Sequence, residues 1–314
     1  MNKLLLIFLL LFYSCKEKEL EEVKEKEFEI ELEVLGVIQD AGLPHAGCKK
    51  TCCRKAFGNS ALHQDVVSLG LRDYRNNQYY LFDASPDLPS QMKQLIEKRG
   101  EQFKQSPEGI FLTHAHIGHY AGLMYLGRES MNAHRAPVYA MPRMRHFLEN
   151  NGPWNQLVEI ENIDIKELFD QDTIHLYHPL SVIPFLVPHR DEYSETVGFK
   201  IIGMKKSALY IPDIDKWEKW ERDIVEEVKK VDYAFLDATF YDGEEVARDI
   251  SEIPHPFVIE SMEHFNVLSE EDKSKIFFIH LNHTNPLADE HSIQSQTVLS
   301  AGFNIARKGM IFDL

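Results

Sequence analysis

The sequence predicts a layered α/β domain. Three observations carry that prediction. Short apolar runs rich in β-branched and aromatic residues crowd the first half, strand-like and helix-like stretches are mixed after it, and histidines recur where apolar runs end. Of the 314 residues, 44% are hydrophobic. That is enough for a sizeable core and too much for a chain that stays disordered. No repeat, Gly/Ser linker or second long apolar stretch divides the sequence, so residues 28–314 are expected to form one domain.

Taken in order, the first feature is Leu4 to Tyr13, an almost unbroken apolar run behind Lys3. It is too short to span a bilayer, which takes about 20 residues. A positive start, a short apolar core and a small residue make a secretory signal. The run closes on Ser14-Cys15 and resembles a bacterial lipoprotein signal, with cleavage before Cys15 and lipid on its thiol. Residues 1–15 are therefore expected to export the protein and anchor it to a bacterial membrane. Lys16 to Glu27 mixes Lys and Glu with few apolar residues; residues 16–27 read as a solvated tether.

Phe28 to Val34 alternates apolar and acidic residues, the period of a half-buried strand. A Gly- and Cys-containing loop runs from Gln39 to Ser60. Val66–Leu71 and Tyr79–Phe82 read as strands with a turn at Asn76-Asn77, Leu88–Lys98 as a helix, and Gly109–Leu112 as a short buried strand. Further strands are expected at Val138–Ala140, Val182–Val187, Thr196–Ile202, Ala208–Ile211, Tyr233–Leu236 and Ile276–Ile279, with a helix over Trp217–Lys230.

Fifty acidic against 34 basic residues leave a net charge of −16. Phosphate contacts need a positive footprint, so no nucleic-acid partner is expected and the expected substrate is a small molecule. Four cysteines in a chain of this length are too few for a disulfide scaffold.

The strongest chemical signal is Thr113-His114-Ala115-His116-Ile117-Gly118-His119, directly after an apolar strand. Three histidines at i, i+2 and i+5 in a loop can converge on one point, and neutral imidazole is the commonest ligand for zinc and similar metals. The segment resembles the metal motif of the metallo-β-lactamase superfamily, His-x-His-x-Asp-His, with Gly118 in the place of its Asp. The resemblance extends over nearly the whole domain and implies an αββα four-layer sandwich. Within it, His189 after Val187-Pro188, Asp213 after Leu209 to Pro212, and His280 after Phe278-Ile279 are similar to the family's later ligands. The resemblance implies that His114, His116 and His189 hold one ion with a position left for water. It implies that His119, Asp213 and His280 hold a second, weakened by the carboxylate that Gly118 removes.

Met262-Glu263-His264, the stretch from Ile279 to Leu287, Leu236 to Phe240, and the opening Val34-Leu35-Gly36 before the cysteine loop resemble the coenzyme PQQ biosynthesis protein B family more narrowly. Members of that family typically lack a full histidine motif and act in a cytosolic pathway, so the present motif and signal depart from it. Cys48, Cys52, Cys53 and His283 are similar to a structural zinc set in related phosphodiesterases; a Cys₃His site is a closed structural type. His45 is a spare ligand, and a disulfide or free thiols are the other outcomes for these cysteines.

The expected cofactor is zinc, one or two ions at the active site with manganese or iron as alternatives, and a separate structural zinc. A metal-bound water has its pKa lowered towards about 7, and Asp213 would bridge or orient it. His264 is the expected proton donor to a leaving group, and Asp237 a possible supporting residue. His134, His146, His175, His178 and His255 read as solvated or packing residues. Three functions remain open: metal-dependent hydrolysis of a small ester, lactone or phosphodiester; a non-haem iron oxygenase linked to PQQ biosynthesis; and a metal-binding lipoprotein without catalysis.

Overall fold

Period-two alternation along the strands sets the layers. The computed structural model describes residues 29–97, 103–245 and 253–314; the signal, Cys15 and the tether lie outside the described residues. One sheet contains β1 (Ile30–Gly36), β2 (Ser68–Asp73), β3 (Gln78–Phe82), β4 (Gly109–Phe111), β5 (Ala136–Ala140) and β6 (Ile163–Glu167). The other contains β7 (Ile174–His175), β8 (Ser181–Leu186), β9 (Val197–Ile202), β10 (Ser207–Ile211), β11 (Tyr233–Asp237), β12 (Ile276–Ile279) and β13 (Asn304–Ile305). A last strand, β14 (Ile311–Asp313), returns to the first sheet and pairs with β1. The orders are β14-β1-β2-β3-β4-β5-β6 and β13-β12-β11-β10-β9-β8-β7. Each sheet starts antiparallel and turns parallel, at β3–β4 in the first and β10–β11 in the second.

Leu69, Leu71, Tyr80, Phe82 and Phe111 face the second sheet, and their neighbours Leu81, Ile110 and Leu112 face the outside. Phe82 and Phe111 from the first sheet meet Phe199 and Tyr210 from the second, with ring centroids 5.6–6.2 Å apart. Such rings dominate the energetics of a sandwich core. The outer face of the first sheet is covered by the helices Leu88–Ile96 and Pro142–Asn150, through Leu88, Met92, Leu95, Met144 and Leu148. The second sheet is covered by Ile224–Lys229, Val258–His264 and Ile293–Ser300, through Ile224, Val228, Val258 and Val298. The result is the expected helix–sheet–sheet–helix sandwich.

Two local expectations are corrected. The acidic face of β1 is not solvated: Glu31 and Glu33 are 1% exposed. Both carboxylates accept from Arg72 on β2, and the Leu88–Ile96 helix lies over them, giving Leu95 O to Arg72 Nε. Burial is acceptable there because the charges are paired and hydrogen-bonded. Trp217–Lys230 is not one helix. A 3₁₀ turn covers Trp217–Lys219, Trp220 is extended, and Asp223 caps a separate helix by accepting from Val225 N–H at 2.9 Å. Among the described residues, no helix is long and apolar enough to cross a membrane.

Candidate metal centre

The parallel parts of the two sheets deliver the polar residues to one edge. Phe82 pairs with Phe111 at the ends of β3 and β4, so Asp83 and Thr113-His114 emerge side by side. Ile211 pairs with Leu236, and Asp237 with Ile279, so Asp213, Asp237 and His280 emerge at one height. His189 follows β8, and the short helix Ile117–Tyr120 carries His119.

Asp213 is the focus. His189 Nε2 lies 3.2 Å from its Oδ1. His114 Nε2, His280 Nε2, His119 Nε2 and His116 Nδ1 lie 3.3, 3.6, 3.7 and 4.0 Å from its Oδ2. All six residues expected as ligands thus lie around Asp213, although His119 falls in neither group of ligand atoms within 4.8 Å of one another. His114, His116, His189 and Asp213 have ligand atoms close enough to hold one ion.

A second grouping, Asp213, Asp237, His255 and His280, adds two residues the sequence reading left out of the ligand set. His255 is buried, not solvated, and sits 2.8 Å from Asp237 Oδ2 and 3.1 Å from Asp213 Oδ1 through Nδ1. The available signal was its place between two prolines after a polar segment, which is too weak to separate it from a loop histidine. His264 does not join the cluster. It is exposed at the end of the Val258–His264 helix, its ring against Phe265.

The imidazoles are held by their other nitrogens, and a repeated device does much of this. Thr113 Oγ1 donates to Asp83 Oδ1 at 2.8 Å and is left to accept from His114 Nδ1–H at 3.0 Å, which frees His114 Nε2 as a lone pair. Thr239 Oγ1 donates to Asp237 Oδ1 at 2.7 Å and accepts from His280 Nδ1–H at 2.9 Å in the same way. His119 Nδ1–H donates to Asp83 Oδ2 at 2.7 Å, and His116 Nε2–H to Glu192 Oε2 at 3.0 Å. His189 Nδ1 lies 3.3 Å from Asp215 Oδ1. Metal-ligating histidines almost always carry such partners, which fix the ring and its tautomer.

The electrostatics agree. Burial, then the charge of His119, holds His114 well below the usual imidazole range, so it is neutral and able to ligate. Burial opposes ionisation of Asp213, but His189, His280 and His255 hold its carboxyl well below the usual carboxylate range. Burial also works against charge on His255, yet Asp237 and Asp213 raise it to about 10. His114 Nε2, His119 Nε2, His189 Nε2, His280 Nε2 and Asp213 Oδ1 are buried without a hydrogen-bond partner. Such orphans are costly in a protein interior. Cations held between them would satisfy these atoms, and nitrogen and carboxylate donors suit zinc, manganese or iron.

Beyond His280, the same chain segment reaches a second cluster. Cys48, Cys53 and His283 offer ligand atoms within 4.8 Å of one another. Cys52 stands beside them, its sulfur 3.9 Å from that of Cys53, and is not in the set. His45 stacks on His283 with centroids 4.4 Å apart and donates its backbone N–H to Cys53 Sγ. His283 Nδ1 is another buried orphan, and burial followed by the charge of His45 lowers its pKa to about 4. No disulfide joins Cys48, Cys52 and Cys53.

The family model described as beta-lactamase superfamily domain matches residues 78–305, and the chain belongs to that family. Within it, the protein is PqqB-like. Coenzyme PQQ synthesis protein B of Methylorubrum extorquens strain PA1 is 25% identical over 90% of this chain and 99% of its own length. The solved Zn(2+)-bound PqqB from Methylobacterium extorquens superposes with a TM-score of 0.75 at 20% identity, covering 90% of this chain and all of that one. A diphosphatase from the PhnP family superposes with a TM-score of 0.62 at 21% identity, over 90% and 96% of the two chains.

Proposed function

We propose that this protein is a metal-dependent hydrolase of a small ester, lactone or phosphodiester. The carrying observation is the convergence of four orphaned imidazole nitrogens on the Asp213 carboxylate. His114, His116 and His189 would hold one ion with Asp213, and His119, His280 and Asp213 a second. An ion held there would supply an acidified water and a Lewis acid for a carbonyl or phosphoryl oxygen.

The chain's own residues supply the rest. Asp213 orients the attacking water. Asp237 holds His255 by Nδ1, which keeps the ring protonated and leaves the Nε2 proton for the departing oxygen; His255 therefore replaces His264 as the proposed donor. Asp83, Glu192 and Asp215 keep the ligand rings in place. An ester, lactone and phosphodiester panel tests this reading. Turnover by the intact chain that disappears in His116→Ala supports it, and undiminished turnover in that variant contradicts it.

The length of the match to PQQ synthesis proteins supports a second reading, an iron oxygenase related to PQQ biosynthesis. His119, His280 and Asp213 would supply two histidines and a carboxylate for the iron. Iron-dependent oxygen consumption with a tyrosine-containing peptide and no turnover on the ester panel selects it; bound metal with neither activity leaves a non-catalytic metal-binding lipoprotein. The site belongs, on our reading, to an exported protein tethered by lipid on Cys15, acting on a small molecule at a bacterial membrane.

A further inference from the structure

The second ion position is one carboxylate short at Gly118, and the structure shows what occupies that space. A β-carbon on Gly118 would lie 2.8 Å from Asp40 Cα, 3.1 Å from its carbonyl oxygen and 3.2 Å from its nitrogen. No side chain at position 118 can coexist with this loop. The loop is fixed on its other side, because Gln39 N–H donates to Leu281 O at 2.8 Å and Leu281 N–H to Val37 O at 2.7 Å. Asp40 thus backs onto the residue before His119, and its neighbours Gln39 and Val37 bond the residue after His280; His119 and His280 are the two imidazoles of the second position.

Four further properties of Asp40 occur together. Its φ of +52° is left-handed, a conformation that is uncommon outside glycine and clusters at functional sites. It is half-buried. Its carboxylate makes no hydrogen bond and no ion pair among the described residues. Its negative charge acts on His119 on one side and on His283 on the other.

We propose that Asp40 supplies to the second ion, beside His119, His280 and Asp213, the carboxylate that Gly118 lacks. The glycine and the aspartate form a reciprocal pair: removing the side chain at 118 makes room for the loop that brings a carboxylate from elsewhere in the chain. The inference rests on the metal centre proposed above and revises the expectation that the second position is weak.

The test is zinc content of the intact chain, measured by elemental mass spectrometry after dialysis against a series of buffered free-zinc concentrations. Asparagine accepts a left-handed φ nearly as well as aspartate, so Asp40→Asn preserves the backbone; Asp40→Ala is the second variant. Metal-free melting curves of both, compared with the parent, report on folding. The parent is expected to take up two ions at the histidine centre besides the one at the cysteines. Asp40→Asn should lose one of them, its affinity falling at least about 10- to 100-fold, the range that loss of an outer partner already costs. Retention of both ions at unchanged affinity in Asp40→Asn and Asp40→Ala overturns the inference alone. A parent chain that takes up no ion at the histidine centre overturns the underlying reading as well.

Discussion

At the residue scale, the site is a matter of which nitrogen carries the proton. Each ligand imidazole has one ring nitrogen turned to a hydroxyl or carboxylate and the other turned to Asp213. Asp83 holds two of these rings, His119 directly and His114 through Thr113. Asp83→Asn keeps the shape and removes the charge; the affinity of the centre for zinc is expected to fall about 10- to 100-fold, read by competition with a chelator. His255 is different, because its Nδ1 faces two carboxylates, Asp213 and Asp237. His255→Gln is expected to lower kcat by about 10²- to 10⁴-fold, the usual worth of a positioned acid, while zinc content stays at the parent value. Loss of metal along with activity would instead make His255 a ligand.

At the element scale, strand ends explain what was legible. The histidine motif follows the short buried strand β4, and His189, Asp213 and His280 follow β8, β10 and β12, so apolar runs closing on polar residues marked them in advance. His255 carried no such mark. It lies outside any strand and reaches the site only because the chain after β11 folds back over Asp237. The acidic face of β1 misled for a related reason: alternation specifies two faces, and only the packed helix shows that both are covered. The Trp217–Lys230 helix failed because propensity over a window does not register one extended residue and a capping aspartate.

The segment Ile276–His283 links both clusters, since β12 leads to His280 and then His283. Cys48→Ser combined with His283→Ala is expected to remove one zinc per chain and lower the melting temperature. Unchanged metal content and Tm would show that the cysteines bind no ion. Glu245, beside Thr284 in that same region, is pushed by burial and then by Asp242 up to about 7 from its ordinary 4.5. The folded state therefore keeps a proton that the unfolded chain has lost between those values. Stability falls as pH rises through that window, and the penalty is complete above about pH 7. Glu245→Gln should melt above the parent at pH 8 and lose that advantage near pH 4.5, as melting curves across the range would record.

At the scale of the whole molecule, two sheets that each change from antiparallel to parallel place their strand ends at one edge, and Asp83 and Asp237 there are already paired with His119 and His255. The fold was legible because apolar strands, ordered histidines and a single long domain all pointed to one architecture. The substrate was not, because nothing in the ligand set distinguishes an ester from a phosphodiester. The centre itself is the claim on which the rest depends. It is tested most directly by elemental mass spectrometry of the intact chain beside a His114→Ala/His189→Ala variant of equal far-UV circular dichroism. At least one ion per chain beyond the cysteine-bound one, lost in the variant, is the predicted result. Equal metal content in the two proteins would contradict it.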